Sequence, residues 1–280
     1  MANIKQQYIQ ELRKQLLYEF KTGKRGGIYG VIQRNMAYNS NKIEGSMLTE
    51  RQTANLFETS TINGDDINFR RKDVEEMTGH FRMFNQTLQT LDEPLNINII
   101  KQMHYNLKVD VFEDRSNGYP CGEFKNRENF ISNIKTALPE DVPARMEELI
   151  KNYNQIQTPT VKDLAMFHSA YENIHPFQDG NGRTSRMILF RESLRHGMIP
   201  LIIQDKNKNK YYQCLNDART KNFRNMTEYF EEEQNAFYEE TKGVVLPYDV
   251  IKQDNLKKEQ TENLTKDIDM SNPDNEIKFE

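Results

Sequence analysis

The sequence predicts a mainly α-helical protein with one small β-hairpin, on three observations. Apolar residues recur at three- and four-residue spacing through most of the 280 positions, the mark of helices that each bury one stripe. Start and stop signals such as TERQ, Gly45 and Gly197 punctuate those stretches. A single segment, SNGYPCGEFKNRENFISN, breaks the pattern, with turn residues around the short run FKNRENFIS.

The elements follow in order. Ile4, Tyr8, Ile9, Leu12, Leu16 and Phe20 share one face of a first helix. A second starts after GGIYG, runs through Tyr38 and Ile43, and ends at Gly45. Thr49 to Phe57 opens with Thr-x-x-Gln, a capping-box pattern. Asp66 to Leu91 carries Val74, Met77, Phe81, Phe84 and Leu88 on one face, and Leu95–Lys108 follows Pro94. The FKNRENFIS run supplies the hairpin. Helices resume at Pro143–Gln155, Thr160–Ile174, Thr184–His196, Asn209–Arg219 and Met226–Thr241. Beyond Pro247 the chain is polar and short of aromatics, which predicts a disordered or loosely held tail. This reading divides the chain into N-terminal helices over 1–60, a core over 61–245 and a tail over 246–280.

Charge and composition exclude several function classes. Net charge is −4, and Asp249 to Glu280 holds nine acids and five lysines, so the body is neutral. A neutral body argues against a broad nucleic-acid surface. The two cysteines, Cys121 and Cys214, have no CxxC or metal-ligand spacing, which argues against a disulfide framework or structural zinc. The first thirty residues show no signal-type apolar run. The longest apolar run, Met198–Ile203, is far short of the ~18–20 residues that span a bilayer. A cytoplasmic protein that binds neither membrane nor nucleic acid is expected.

The chemistry concentrates in IHPFQDGNGRTSR, Ile174–Arg186. A helix beginning near Asn181 places Arg183 and Arg186 in its first turn, against the macrodipole and three residues apart on one face. A multiply charged anion between them makes that arrangement favourable. Gly180 and Gly182 let backbone amides approach the anion, and guanidinium forks match phosphate oxygens. Asp179 beside such an anion implies an intervening cation, Mg²⁺. His175 has the basicity to deprotonate an incoming hydroxyl, and Pro176 and Phe177 anchor the loop. A calcium loop is excluded by Arg183 and Thr184, and a P-loop by the missing upstream glycine and the arginine in place of lysine.

The same stretch resembles the Fic (Fido) signature HxFx[DE]GNGRxxR at every specified position: His175, Phe177, Asp179, Gly180, Asn181, Gly182, Arg183 and Arg186. That resemblance implies a helical core with a β-hairpin flap over the active site, and transfer of AMP from ATP to protein Ser, Thr or Tyr hydroxyls. It implies that His175 is the general base and that Asp179 holds Mg²⁺. Gly180, Asn181, Gly182 and Arg183 would grip the α- and β-phosphates, with Thr184 in the nucleotide-binding set, and Arg186 would meet the γ-phosphate. GEFKNRENFIS resembles the flap, so Asn129, Phe130, Ile131 and Ser132 would line the nucleotide. A target protein would dock at about 122–133 by β-augmentation. KYYQCLNDAR is similar to the family pattern YYxxLxxA, which puts Tyr211 and Tyr212 either beside the adenine or in core packing. Arg219 stands where relatives often carry Asn.

SNKIEG, Ser40–Gly45, resembles the family's inhibitory motif [ST]xxxE[GN], and its N-terminal place implies a class II protein. Glu44 on Arg186 would block the productive ATP pose, and Ser40 opens the motif. An autoinhibited adenylyltransferase that also modifies itself is the leading expectation. De-AMPylation with Glu44, another Fic-type phosphotransfer, and a helical module that only binds nucleotide stay open. Gly182 favours AMP transfer, because phosphorylating relatives tend to carry Lys there. No motif dictates dimerisation, and a homodimer stays open.

Overall fold

A computed structural model describes residues 2–62, 68–131 and 134–252. Eleven α-helices are found among them. They are α1 (Ala2–Thr22), α2 (Ile28–Ile43), α3 (Glu50–Thr59), α4 (Arg71–Gln89), α5 (Ile97–Lys108) and α6 (Phe112–Ser116). After the hairpin come α7 (Val142–Asn154), α8 (Val161–Ile174), α9 (Asn181–Arg195), α10 (Lys208–Arg219) and α11 (Arg224–Val245). The hairpin pairs β1 (Phe130–Ile131) with β2 (Ile134–Lys135) in antiparallel register, Phe130 opposite Lys135 and Ile131 opposite Ile134. The mainly α fold with its small hairpin matches the class read from the sequence.

Helix ends depart from the pattern for local reasons. Asn96 accepts a hydrogen bond from the Ile99 amide and caps α5 there, so Leu95 packs ahead of the helix rather than within it. Residues 63–67 lie outside the described set, and 68–70 are not helical. The start of α4 falls at Arg71, where the Asp73 carboxylate accepts from the Arg70 amide and guanidinium. The Thr49 capping box is present as read. The five-residue α6 is new, being too short for a period to show. Helix α11 runs on past Thr241 because Val245 and Leu246 are buried. Of the expected tail, residues 253–280 lie outside the described set.

One hydrophobic cluster runs from Tyr8 to Leu246 and draws on nearly every helix. Its centre is α9, where Met187, Ile188, Leu189, Phe190 and Leu194 are all buried, together with Arg191, Glu192 and Ser193. A helix buried all round is a core helix, so the loop that precedes it is rigidly held. The α4 and α5 backbones meet at Gly79, where a Cβ would lie 2.1 Å from the Leu107 carbonyl oxygen. This approach brings Glu76 on α4 and Lys108 on α5 together beneath the α8–α9 loop. Among the described residues, no helix is long and apolar enough to cross a membrane.

Candidate active site

Helix α8 ends at Ile174, and His175 follows with φ of 52°. A non-glycine residue in that left-handed region costs about 1–2 kcal/mol, so its surroundings must hold it there. The His175 amide donates to the Tyr171 carbonyl at 2.9 Å, and the Lys125 amide donates to the Pro176 carbonyl at 2.9 Å. Asn181 closes the loop with two bonds to Phe177, accepting from its amide and donating to its carbonyl. The Asn129 side chain donates to that same carbonyl at 2.8 Å. The Phe177 ring is fully buried and stacks on His104, with centroids 3.9 Å apart. Nδ1 of His104 accepts from the Gly122 amide, so Nε2 carries the proton and donates to the Asp179 carbonyl. Burial keeps that imidazole neutral, pushed down to about 3.

Below the loop lies a buried charge network. Nζ of Lys108 contacts Glu76 at 2.5 Å, Asp114 at 2.6 Å and Asp179 at 2.8 Å. Lys72 reaches Asp179 at 3.3 Å. Arg183 pairs with Glu76, donates to Asn41 and lies 3.6 Å from Asp179. Burial alone would raise the Asp179 carboxyl, but Arg183 and Lys108 outweigh it and hold the group well below its usual range. Asp179 is therefore ionised and about one-third exposed. Mg²⁺ typically binds through one or two carboxylates, substrate phosphates and waters. This single anionic, accessible carboxylate fits that donor set. Among the described residues, no group of three or more His, Cys, Asp or Glu could cage a metal alone.

Above the loop a cavity of about 400 Å³ brings together Glu44, Ile131, His175, Gly182, Arg186, Tyr211 and Tyr212. Arg186 Nη2 meets Glu44 Oε1 at 2.7 Å. Ser40 holds the same guanidinium twice, its hydroxyl accepting from Nε at 3.0 Å and its carbonyl from Nη2 at 2.9 Å. A Cβ on residue 182 would lie 2.4 Å from Glu44 Oε1, so the glycine makes room for the Glu44 carboxylate. His175 is pushed down to about 4, by burial first and then by Lys125, with Glu44 pulling the other way. It is neutral near pH 7.

The tyrosine pair divides between its two readings. Tyr211 is buried and bonds His168 at 2.8 Å; it is packed in the core, and where it borders the cavity the Arg186 guanidinium lies over its ring, 6.0 Å from the centroid. Tyr212 is 42% exposed in the cavity wall. Thr184 is fully buried, its hydroxyl donating to the Gly180 carbonyl, and it does not line the cavity. Arg183 and Asn181 do not line it either. Of the flap residues, Ile131 faces the cavity, Phe130 is 58% exposed, and Asn129 anchors the loop. Ser132 lies outside the described residues.

Sequence reasoning missed Glu172, Asn173, Leu215 and Asn216 in the cavity wall, and Glu76, His104 and Lys108 beneath the loop. Glu172 was findable, since it precedes His175 by three residues and shares its helical face. Asn173 also lies on α8, two residues before His175; the others come from α4, α5 and α10, and no local signal links those segments to the motif.

Comparison with known proteins agrees with this geometry. Residues 94–191 match the model of the Fic/DOC family. It is 28% identical over 186 residues to the protein adenylyltransferase Fic of Nematostella vectensis, covering 65% of this chain and 42% of that protein. It is 30% identical over 185 residues to that of Drosophila yakuba, covering 64% and 35%. The chain thus spans less than half the length of these relatives. Among solved structures, a Fic domain containing signaling protein from Bacteroides thetaiotaomicron superposes with a TM-score of 0.62 at 25% identity. That match covers 84% of this chain and 92% of the other. Fic-1 from C. elegans shares the fold, with a TM-score of 0.64 at 20% identity over 86% of this chain and 73% of its own.

Proposed function

We propose that the chain is an autoinhibited, Mg²⁺-dependent protein adenylyltransferase that moves AMP from ATP to protein hydroxyls, its own included. The observation that carries this reading is Glu44 seated on Arg186 over Gly182, in the cavity that also holds His175. A carboxylate occupies the position that suits a terminal phosphate. Relatives named protein adenylyltransferase Fic support the activity.

The reaction is in-line displacement. The target hydroxyl oxygen attacks the α-phosphorus, and the bond from that phosphorus to the pyrophosphate oxygen breaks. Pyrophosphate leaves with the electron pair, and the hydroxyl proton passes to His175, which is neutral and has a lone pair to offer. Backbone amides at 181–182, at the N-terminus of α9, favour the phosphate oxygens, and Arg186 takes the γ-phosphate once Glu44 departs. Asp179 would hold Mg²⁺, which neutralises phosphate charge when bound. Arg183, facing Glu76 and Asp179, fixes that carboxylate and adds positive potential. Such chemistry depends on positioning and charge neutralisation.

A groove of about 530 Å³ beside the hairpin runs past Ile134 and Arg145 and shares Ile131, Asn173 and Arg219 with the cavity. A target segment laid against the flap reaches His175 through it. Two free cysteines suit the reducing cytoplasm in which we place the protein.

Wild type and Glu44→Gly are to be incubated with α-labelled ATP. We expect Glu44→Gly to raise self-labelling about tenfold or more, because an open Arg186 recovers the γ-phosphate contact, and His175→Ala to abolish it. Equal labelling of Glu44→Gly and wild type would remove the autoinhibition, and label arriving from γ-labelled ATP would overturn the reaction class. ATP binding without any labelling would leave a nucleotide-binding module.

A further inference from the structure

The mechanism leaves one buried carboxylate in the cavity wall unused. Glu172 lies on the last turn of α8 and is only 8% exposed. One of its oxygens accepts the Ser185 hydroxyl, and the same hydroxyl oxygen lies 3.0 Å from the Gly182 carbonyl oxygen. This ties the carboxylate to the glycine loop. Its other oxygen, Oε2, lies 3.8 Å from Nδ1 of His175. That nitrogen is buried and makes no well-formed hydrogen bond among the described residues, although the Glu172 backbone carbonyl also attracts a ring proton of His175. A buried carboxylate with a single close donor is costly, and an imidazole nitrogen without a partner is costly too. The two groups face each other across a gap slightly too long for a hydrogen bond.

We infer that Glu172 is a positioning residue for the general base. It accepts the Nδ1–H of His175, fixes the tautomer that leaves the Nε2 lone pair free, and stabilises the imidazolium that forms on proton transfer. The inference rests on the adenylyl-transfer reading. In the step itself, the hydroxyl proton moves to Nε2 while the Nδ1 proton stays in place, and Glu172 gains no proton. A second carboxylate that orients a base in this way follows from general acid–base chemistry, and catalytic contacts that are long in a ligand-free site tighten when substrate binds. The left-handed turn after α8 fixes the His175 backbone and with it the direction of its Cα–Cβ bond.

Charged groups around the pair set its pH response. Glu172 is pushed up to about 7, by burial first, with Ser185 and Arg186 opposing, Glu44 adding to the rise and Arg219 opposing. Tyr211 faces it from α10. His175 faces Lys125, Glu44 and Asp179.

The test uses the full chain carrying Glu44→Gly, with Glu172→Gln and Glu172→Asp added separately. Gln keeps an oxygen for Ser185 and removes the charge, and Asp keeps the charge on a shorter arm. For Glu172→Gln we expect kcat for AMP transfer to fall about 10- to 100-fold at neutral pH while KM for ATP stays within about twofold. The acid limb of kcat/KM should move to lower pH, since loss of the neighbouring carboxylate lowers the imidazole pKa. Glu172→Asp should keep the limb in place and recover part of kcat. Full kcat in Glu172→Gln, or a loss with the limb unmoved and KM changed in step, overturns the inference. If His175→Ala in the same background transfers AMP at the full rate, the fault lies with the adenylyl-transfer reading itself. Loss of transfer in His175→Ala with none in Glu172→Gln isolates the fault to Glu172.

Discussion

Arg183 and Arg186 sit one turn apart at the start of α9, both buried, and each has its own carboxylate. The partner of Arg183 is Glu76, buried on α4 and shared with Lys108. The partner of Arg186 is Glu44, one-third exposed at the C-terminal end of α2, where the macrodipole opposes a negative charge. One pair is locked in a buried network and the other has its carboxylate partly open to solvent. Arg186 also keeps two Ser40 bonds that do not involve Glu44, so the guanidinium stays aimed when the carboxylate leaves. The clash between two like charges at a helix N-terminus, which the bare sequence leaves to a bound polyanion, is resolved by two glutamates of different permanence.

The contrast is broken or sharpened by measurement. Glu76→Gln should cost about 3 kcal/mol, because it strands Arg183 and Lys108 in the interior, and should lower the melting midpoint by roughly 6–12 °C. Glu44→Gln should cost less than about 1 kcal/mol, because the carboxylate is one-third exposed and the buried Arg186 keeps its two Ser40 bonds, while still raising self-labelling. Equal destabilisation by the two substitutions would erase the distinction.

Acid should act next most strongly. His80, His104 and His168 are each pushed down to about 3, and His175 to about 4, all mainly by burial. His80 faces both arginines, which lower it further. Between pH 6.5 and those values the unfolded chain binds protons that the native state refuses, so stability falls as pH falls. The melting midpoint should drop by roughly 5 °C or more between pH 7 and 5, and His80→Leu should flatten the curve. A flat profile in the parent would show that these rings are not buried neutral.

Gly182→Ala should cost about 1 kcal/mol through the clash with Glu44 and raise basal labelling severalfold. That cost should shrink in the Glu44→Gly background; an unchanged cost would place the clash elsewhere. Tyr212→Phe removes only a long bond of 3.4 Å to the Ile43 carbonyl and should change the midpoint by less than about 0.5 kcal/mol equivalent.

The helices were legible because their apolar period is a local property, and the Thr49 cap could be read for the same reason. The loop was legible because thirteen adjacent residues carry it. The hairpin was read a few residues too early: β1 falls inside FKNRENFIS but β2, Ile134–Lys135, lies beyond it, since two-residue strands leave no alternation to read. Glu76, Lys108 and His104 stayed hidden because they meet Arg183 and Asp179 only through the close approach of α4 and α5 at Gly79. A glycine in a helical run reads as a weakness until its neighbour is known. The Tyr211–Tyr212 pair could not be divided from sequence, as adjacent helical residues point about 100° apart and only packing reveals which one is inside.

The shared guanidinium has a quantitative consequence. Nucleotide and Glu44 cannot hold Arg186 together, so on the proposed reading productive ATP affinity scales with the fraction of molecules whose Glu44 is away. A closed-to-open ratio of about 100 to 1 would weaken that apparent affinity about 100-fold. The Ser40 anchors mean that opening needs no rebuilding of the site. Output is then graded by nucleotide supply and by whatever shifts the end of α2, and the contact behaves as a rheostat set by competition rather than as an on–off latch.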